Sequence, residues 1–299
     1  MHIALVGQGH WHASLHREAF GALGYPLPLS TLDAVLAHPP ALTVLLGRPQ
    51  EMLRDLRRCL EAGLPVAIEK PVGRSAEELA PLAELARQQG TFVSVAQPHL
   101  LNHFWEVCTE TAGGPLSHLR FRLVNGPPGR YVQMGVPWVL DAAQAGGGVL
   151  RNLGIHGISA FLKAGTGEVQ VHSCVLSRQL YGTEVEEYAA VVLSAGGVIG
   201  HVEVGYTAAL DSASEFELTG HRRDLTVRDD GQQLHILDRR SGEARVEPVL
   251  PLSRRYEQFA AATLQALRGR QPPPHSLTDH LEAMQVIDEC YARATWVGA

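Results

Sequence analysis

The sequence predicts an α/β protein of two domains: a parallel α/β domain over residues 1–118 and an α+β domain with an open, mainly antiparallel sheet over residues 119–299. In the first part, short apolar runs alternate with helical patterns, which is typical of βαβ units and a parallel sheet. In the second part, alternating and β-rich runs are separated by Gly and Asp turns, which is typical of antiparallel strands. Two helical segments, split by QPPPHS, close the chain.

Four apolar runs and one weaker run predict the strands of the first domain. The four runs are HIALVG, ALTVLLG, PVAIEK and TFVSVAQ, and a helical pattern follows each of them. In chain order these patterns are HASLHREAFGAL, QEMLRDLRRCLEAG, SAEELAPLAELARQQG and HLLNHFWEVCTET. After the first helix, YPLPLS should form another strand, but its two prolines predict that this strand is short or lies at an edge.

The second domain begins with the strand-like HLRFRLVNG, and a Gly-rich segment then leads into the helical GVLRNLGIHGISAFLKAG. The predicted strands that follow are EVQVHSCVLSRQL, EEYAAVVLSA, GVIGHVEVGYTAA, SEFELTG, RDLTVRDDG and QQLHILDRR. The closing helices are RRYEQFAAATLQALRG and TDHLEAMQVIDECYARATWV.

Composition excludes several classes of protein. Hydrophobic residues make up 45% and charged residues 19% of the 299 residues, with a net charge of −6 and no Lys/Arg run, so nucleic acid is not an expected partner. Cys59, Cys108, Cys174 and Cys290 form no C-x-x-C pattern, which argues against a disulfide framework and a thiolate zinc site. No signal peptide and no run of ~18 apolar residues is present. We therefore expect a cytoplasmic protein without a membrane span.

A glycine loop lies between the first strand and the first helix, where a dinucleotide-binding loop belongs. Gly7 permits a tight turn, and Gly9 lets the backbone approach a pyrophosphate at the helix N-terminus. We therefore predict that Gly7, Gly9, His10 and Trp11 contact a dinucleotide. The structural alternative is a strand–turn–helix connection that uses its glycines without binding anything.

The loop departs from G-x-G-x-x-G at its third glycine, which is replaced by His12. The bulkier residue should push the helix slightly away from the strand. No clear acidic residue for a ribose hydroxyl follows, because Asp33 is equally explained by a helix capping box that begins at Ser30. Histidines at a helix start without a carboxylate or cysteine pattern are not expected to bind a metal, so no metal site is predicted.

Two further segments suggest chemistry. PVAIEKPVG predicts a buried strand that ends in Glu69-Lys70-Pro71, and ligands of parallel sheets bind outside the carboxyl ends of the strands. Lys70 alone is equally consistent with an exposed strand-end cation. In PWVLDAAQAGGGVLRNLGIHGISAF, residues 137–161, Asn152 and His156 are four residues apart and face the same side of a helix.

The glycine loop, the strand ending Glu-Lys-Pro, and W…GGG-x-L-x-x-x-G-x-H opening a helix resemble, in this order and spacing, the Gfo/Idh/MocA oxidoreductase family. The resemblance covers the whole chain, and FELTGHRRDLTV resembles the family's glycine-turn hairpin, of which it keeps Gly220. It implies an N-terminal Rossmann domain and a second domain whose open sheet joins subunits into a homo-oligomer, a dimer or tetramer. It also implies hydride transfer between NAD or NADP and a hydroxyl or carbonyl carbon of a sugar, polyol or related small molecule.

The same resemblance implies roles for individual residues. Lys70 matches the family's active-site lysine, which acts as an electrophile or orienting cation. His156 matches a general acid/base, and Asn152, which stands where the family commonly has Asp, would orient one of the two by hydrogen bonding. Trp138 matches an aromatic residue that lines the site.

Two more residues are assigned with them. Glu69, directly before the lysine, is placed beside the cofactor. Arg151 adds a positive charge that suits an anionic substrate. The alternative function, consistent with Asn152, the altered glycine loop and the short second strand, is a catalytically silent sensor or regulatory protein that binds NAD(P) or a sugar.

Overall fold

The computed structural model describes residues 1–7, 10–110, 115–210 and 213–298. In chain order, the first unit contains β1 (Ile3–Val6), α1 (Ala13–Ala22), β2 (Leu29–Ser30), α2 (Leu32–Ala37), β3 (Leu42–Leu45), α3 (Pro49–Glu61), β4 (Val66–Ile68), α4 (Ala76–Gln89), β5 (Val93–Val95) and α5 (His103–Glu110). Its strands pair in parallel in the order β2-β1-β3-β4-β5. The predicted Rossmann-type parallel sheet is confirmed, and β2 is short and lies at the edge, as its prolines predict.

The second unit is built around a larger sheet. In chain order its elements are β6 (Leu116–Asn125), α6 (Gly129–Gln133), α7 (Ala142–Ala145), α8 (Ile155–Ala164), β7 (Gln170–Ser177), β8 (Tyr188–Ala195), β9 (Val198–Gly205), β10 (Ser214–Arg222), β11 (Leu225–Asp229), β12 (Gln233–Asp238), β13 (Ala244–Pro248), α9 (Leu252–Gly269), α10 (Leu277–Ala292) and β14 (Thr295–Val297). The strand order is β13-β12-β11-β10-β6-β9-β8-β7-β14. The β6–β9 and β7–β14 pairs are parallel and the other described pairs antiparallel. The predicted open, mainly antiparallel sheet is confirmed.

The end of the chain differs from the prediction. The sequence pattern extends the last helix through Val297, whereas α10 ends at Ala292 and β14 pairs with β7 at the sheet edge. Thr295, Trp296 and Val297 are β-branched or aromatic residues that suit a strand beside an unpaired edge. β13 also lies outside the predicted strands. The predicted domain boundary at 118/119 falls within β6.

The closing helices pack against the first unit. Tyr256, Ala260 and Leu264 of α9 share a buried apolar cluster with Leu5 of β1 and Phe20 of α1. Burial of this apolar surface is favourable in proportion to the area removed from water. The second unit therefore completes the core of the first.

The glycine run before α8 is held close to other backbone and side-chain atoms. Gly147 has φ +150°, and a Cβ atom there would lie 2.2 Å from the hydroxyl oxygen of Tyr291. A Cβ atom on Gly148 would lie 2.3 Å from the backbone oxygen of Glu186. The Glu186 carboxylate accepts hydrogen bonds from the backbone N–H groups of Gly148 and Leu150. These two glycines therefore allow a close approach between this segment and its neighbours.

In the described part of the chain, no helix has both the length and the apolar character needed to cross a bilayer.

Candidate active site

A cavity of about 340 Å³ lies where the carboxyl end of the parallel sheet faces the larger sheet and α9. Its lining includes Trp11, His12, Lys70, His99, Arg130, Tyr131, Asn152, His156, Phe216, Arg255 and Tyr256. Lys70 follows β4 and His156 belongs to α8, so side chains from both units reach one cavity. Its size falls in the range of small-molecule sites.

Lys70 is held at the base of this cavity, with its side chain 1% exposed. The Lys70–Pro71 peptide bond is cis. The ammonium Nζ donates to the backbone oxygen of Asn152 at 2.9 Å and to its Oδ1 at 3.2 Å. Burial lowers the pKa of Lys70 to about 8, although the neighbouring Glu69 carboxylate opposes the shift. Lys70 therefore exchanges its proton close to neutral pH.

Asn152 uses both ends of its amide. Its Oδ1 accepts from Lys70, and its Nδ2 donates to the hydroxyl oxygens of Tyr131 at 3.2 Å and Tyr206 at 2.9 Å. Burial raises the pKa of both phenols, so they remain neutral partners. These bonds fix the amide orientation, and Asn152 supplies Lys70 with hydrogen-bond acceptors but no negative charge. Sequence analysis did not identify either tyrosine.

His156 lies in the cavity wall, at the start of α8. Asn152 itself belongs to a π-helical turn, Leu150–Gly154, that runs directly into this helix, and such turns are frequent at functional sites. The Nδ1 of His156 is 2.7 Å from the Oε1 of Gln97, whose Nε2 donates to Ser159. Because Oε1 is an acceptor, Nδ1 carries the proton and Nε2 keeps its lone pair. Burial, followed by the charge of Lys70, lowers the pKa of His156 well below its usual range.

His99 and Gln97 are site residues that sequence analysis missed. The His99 ring lies 4.7 Å from the His156 ring and stacks on Phe216, centroid to centroid at 5.2 Å. Burial, followed by the charge of Arg255, lowers the pKa of His99 to about 3. Their position in the sequence could have identified them. Both residues come shortly after β5 at the carboxyl edge of the sheet, as Lys70 comes shortly after β4.

The glycine loop has the turn that the sequence predicts. Gly7 has φ +98°, and a Cβ atom there would lie 1.7 Å from the backbone oxygen of Leu46, so only glycine fits. Gly9 lies outside the described residues. His10 is buried and stacks on Trp11 with 4.2 Å between ring centroids. Trp11 lines the cavity, and the Nζ of Lys70 lies 5.9 Å from its ring centroid.

Glu69 is fully buried beneath this loop. Its Oε1 is 3.2 Å from the Nδ1 of His12, accepts from the Nε2 of His16 at 2.9 Å and accepts from the hydroxyl of Tyr256 at 2.8 Å. Burial would raise the pKa of this carboxyl, but His12 and the hydrogen bonds from both histidines lower it well below its usual range. Glu69 thus joins the loop, α1 and α9, and it does not line the cavity.

His10, His12 and Glu69 also have the spacing of a metal site, since one possible ligand atom of each lies within 4.8 Å of the others. The Nε2 of His10 is buried without a hydrogen-bond partner. The Oε1 of Glu69, however, is already bonded to His16 and Tyr256. The chain separation of His12 and Glu69 hid this group from sequence analysis, and the absence of a metal remains a prediction.

Two predicted substrate-binding residues lie elsewhere. Trp138 is buried, with its ring centroid 5.9 Å from that of Trp11, so it supports Trp11 from behind the cavity wall. The Nη2 of Arg151 is 2.6 Å from the Oδ1 of Asp288 on α10, and its guanidinium lies over the Tyr291 ring at 5.1 Å. Arg151 does not line the cavity and its charge is neutralised by Asp288, so this geometry does not support the expectation that Arg151 binds substrate, which stays a prediction.

A second cavity, of about 450 Å³, lies beside Gly7 at the carboxyl ends of β1 and β2. Arg54 and Arg58 of α3 reach it together with Asp33. The Nη2 of Arg58 is 2.7 Å from the Oδ1 of Asp33, so both a carboxylate and guanidinium groups are present. The sequence does not assign these arginines to the glycine loop, because Arg54 and Arg58 come from another element of the chain.

Comparison with known proteins identifies a family model that matches part of the chain. Residues 106–226 match the family model described as the GFO/IDH/MocA C-terminal domain. No curated protein matches the sequence.

Several solved structures share the fold over nearly the whole chain. Levoglucosan dehydrogenase in complex with NADH and levoglucosan has a TM-score of 0.84 at 14% identity, covering 98% of this chain and 96% of that one. An oxidoreductase domain protein from Kribbella flavida gives 0.82 at 15% identity, with coverages of 98% and 96%. A 3-ketoreductase from Actinomadura kijaniata, solved with NADP and TDP-benzene, gives 0.77 at 17% identity, with coverages of 99% and 98%. The family model over residues 106–226 and the fold shared with these structures confirm the resemblance to the Gfo/Idh/MocA family.

Proposed function

We propose that the protein is an NAD(P)-dependent dehydrogenase or reductase that acts on a hydroxyl or carbonyl carbon of a sugar, polyol or related small molecule. The observation that carries this proposal is that Lys70 and His156, from separate units, line one cavity beside the glycine loop. Relatives of the same fold are solved with NADH and levoglucosan or with NADP, which supports the same class of reaction.

The loop and the second cavity fit a dinucleotide. Gly7 gives the tight turn that brings backbone close to a pyrophosphate, and α1 begins directly after the loop. The cavity beside Gly7 suits the adenosine end, where Asp33 offers an acceptor for ribose hydroxyls and Arg54 and Arg58 offer donors for a 2′-phosphate. These groups are compatible with NAD and with NADP. The bound nicotinamide would exchange a hydride with the substrate carbon.

The side chains of the main cavity supply the remaining steps. In alcohol oxidation the Nε2 of His156 accepts the hydroxyl proton, since its lowered pKa keeps the imidazole neutral. Gln97 holds the tautomer that leaves this nitrogen free. The Lys70 ammonium donates to the substrate oxygen as negative charge develops on it. Asn152 orients Lys70 through both of its hydrogen bonds.

A binding protein without turnover is the second candidate function. One observation favours it: both hydrogen-bond acceptors of the Lys70 ammonium belong to Asn152 and are neutral. A carboxylate at this position would hold the ammonium charged more strongly than an amide does.

We further propose a cytoplasmic homo-oligomer, a dimer or tetramer, that forms through the uncovered face of the larger sheet. Ile199 and Val175 are exposed on this face, and Arg122 and Glu203 form an ion pair beside them. Interfaces commonly combine such apolar and polar groups. Light scattering of the purified protein tests the oligomeric state, and a monomer at micromolar concentration would contradict it.

Titration with NAD and NADP, followed by turnover assays on sugars and polyols, separates the two functions. The emission of Trp11 in the cavity wall provides a binding signal when compared with a Trp11→Phe variant. Binding together with turnover supports the dehydrogenase. Binding without turnover across the panel favours the sensor, and no binding of either dinucleotide contradicts both.

A further inference from the structure

One cation in the wall of the main cavity has no counter-ion among the residues that the structure describes. Arg130 belongs to α6 and lines the cavity together with Lys70. Its Nη1 donates to the backbone oxygen of Ala213 at 3.2 Å. Its Nε is buried and has no hydrogen-bond partner. Among residues 1–7, 10–110, 115–210 and 213–298, no acidic side chain forms an ion pair with it.

The other charged groups of the same wall are engaged. The Nη2 of Arg255 is 3.0 Å from the Oδ2 of Asp229, and both side chains are almost fully buried. Asp230 also lines the cavity, and its Oδ2 is 2.8 Å from the Nε2 of His235. Arg130 therefore differs from its neighbours in having a charge that nothing in the described chain balances. A buried N–H without an acceptor is costly, which favours a ligand that supplies one.

We propose that the cavity takes a hydroxy acid or sugar acid whose carboxylate is bound by Arg130, with its reacting carbon beside Lys70 and His156. This inference rests on the proposed function and names the substrate class of the same site. The Nε–Nη2 edge of a guanidinium matches the two oxygens of a carboxylate. Because the Nε is buried in this structure, carboxylate binding through this edge requires the half-buried side chain to rotate.

A carboxylate fits better than a phosphate. Phosphate groups carry more charge and are usually held by several donors at once. In the cavity wall, Arg130 is the guanidinium without a carboxylate partner among the described residues, while Lys70 is bonded to Asn152. One guanidinium matches one singly charged group. Arg130 thus takes the role that the sequence assigned to Arg151.

The test compares matched acid and neutral compounds in the wild type and two Arg130 variants. The acids are D-galacturonate, D-glucuronate and D-gluconate, and the neutral partners are D-galactose, D-glucose and D-glucitol. We expect Arg130→Gln to raise KM for the acids by about tenfold or more, as for a hydrogen bond between charged groups, with kcat little changed. Arg130→Lys keeps the charge but loses the planar fork, so its KM should lie between the two.

Arg87→Gln is the control, because Arg87 is an exposed arginine of α4 whose partner is Glu84. It should leave every constant at the wild-type value. Wild-type preference for the neutral compounds, or an Arg130→Gln effect that is equal on acids and neutral compounds, would overturn the assignment.

Binding without turnover is measured by calorimetry with D-galacturonate. Binding that Arg130→Gln weakens supports the carboxylate site even if no hydride transfer occurs, in which case only the proposed reaction fails. Turnover of neutral sugars with no acid binding retains the reaction and rejects the carboxylate site.

Discussion

Lys70 and Asn152 are joined by two hydrogen bonds, from Nζ to the backbone oxygen at 2.9 Å and to the side-chain Oδ1 at 3.2 Å. The residues are 82 positions apart in the chain and belong to different units. The contact links the end of β4 to the turn that leads into α8, and it sets the direction of the lysine toward the cavity. Because both acceptors are neutral, the pKa of Lys70 falls to about 8 through burial.

We expect Asn152→Asp to raise the pKa of Lys70, since a carboxylate beside an ammonium favours the charged form. The lysine acts as a protonated donor, so kcat/KM in the wild type should fall as pH rises through about 8. In the variant this alkaline decline should move to higher pH. The pH dependence of kcat/KM for both proteins measures the shift. An unchanged or lower alkaline pKa would contradict the role of Asn152.

His156→Ala should reduce kcat by ~10²-fold or more, the typical contribution of a proton-transfer group. Dinucleotide affinity should be unchanged, because His156 is assigned to the substrate. His172→Ala is the control, as His172 is exposed on the larger sheet and its Nε2 contacts Ser194. Steady-state kinetics decide the matter, and full activity of His156→Ala would remove this residue from the mechanism.

Gly147→Ala should destabilise the protein strongly, because the new Cβ would lie 2.2 Å from the Tyr291 hydroxyl at a backbone φ of +150°. The matched change is Gly21→Ala in α1, where nothing lies within 4 Å of the new Cβ. That variant should gain up to roughly 1 kcal/mol from the higher helix propensity of alanine. Urea unfolding of both variants tests the pair. Equal stabilities would show that the glycine run is not constrained as the structure indicates.

Treatment with EDTA should leave activity and unfolding temperature unchanged. His10, His12 and Glu69 have a suitable spacing for a metal, but the Oε1 of Glu69 already accepts from His16 and Tyr256. Activity and thermal unfolding are measured before and after dialysis against the chelator, with readdition of Zn²⁺. A loss of either property that Zn²⁺ restores would show a metal centre at this position.

The protein should lose stability as pH falls below about 6.5. Burial, followed by the charge of Arg255, holds the pKa of His99 at about 3, and burial lowers the pKa of His10 as well. The unfolded chain then binds more protons than the folded chain below the ordinary histidine pKa. Each such histidine contributes at most about 1.4 kcal/mol per pH unit. Urea unfolding at pH 7 and pH 5 tests this, and His99→Gln should reduce the difference whereas His38→Gln, an exposed control, should not.

The fold could be predicted from local patterns of apolar residues and prolines in the sequence. Apolar runs before Lys70 and Gly7 identified the parallel sheet, and the prolines before Ser30 identified its short edge strand. The predicted extension of the last helix was wrong at Thr295–Val297. These residues pair with β7 as a strand, although a helical pattern precedes them. A tertiary contact of this kind cannot be read from local spacing.

Site residues could be predicted from the sequence only where they belong to a recognisable motif. Lys70 and His156 stand in motifs and line the cavity, whereas Gln97, which contacts His156, and Arg130, which lines the same cavity, stand in no motif. The partner of Arg151, Asp288, lies 137 positions away and could not be identified from the motif. A charged residue in a motif indicates the chemistry of its side chain, but it does not indicate which oppositely charged residue pairs with it.

The return of α9 to the first unit makes the two units inseparable. The hydroxyl of Tyr256 donates to Glu69, and Leu264 belongs to the same buried apolar cluster as Leu5 and Phe20. A fragment that stops near residue 118 keeps every strand of the parallel sheet. It lacks α9, however, and so loses part of the apolar cluster that buries Leu5 and Phe20. The last fifth of the chain therefore contributes to the stability of the parallel α/β unit, and engineering of cofactor preference in this protein must retain it.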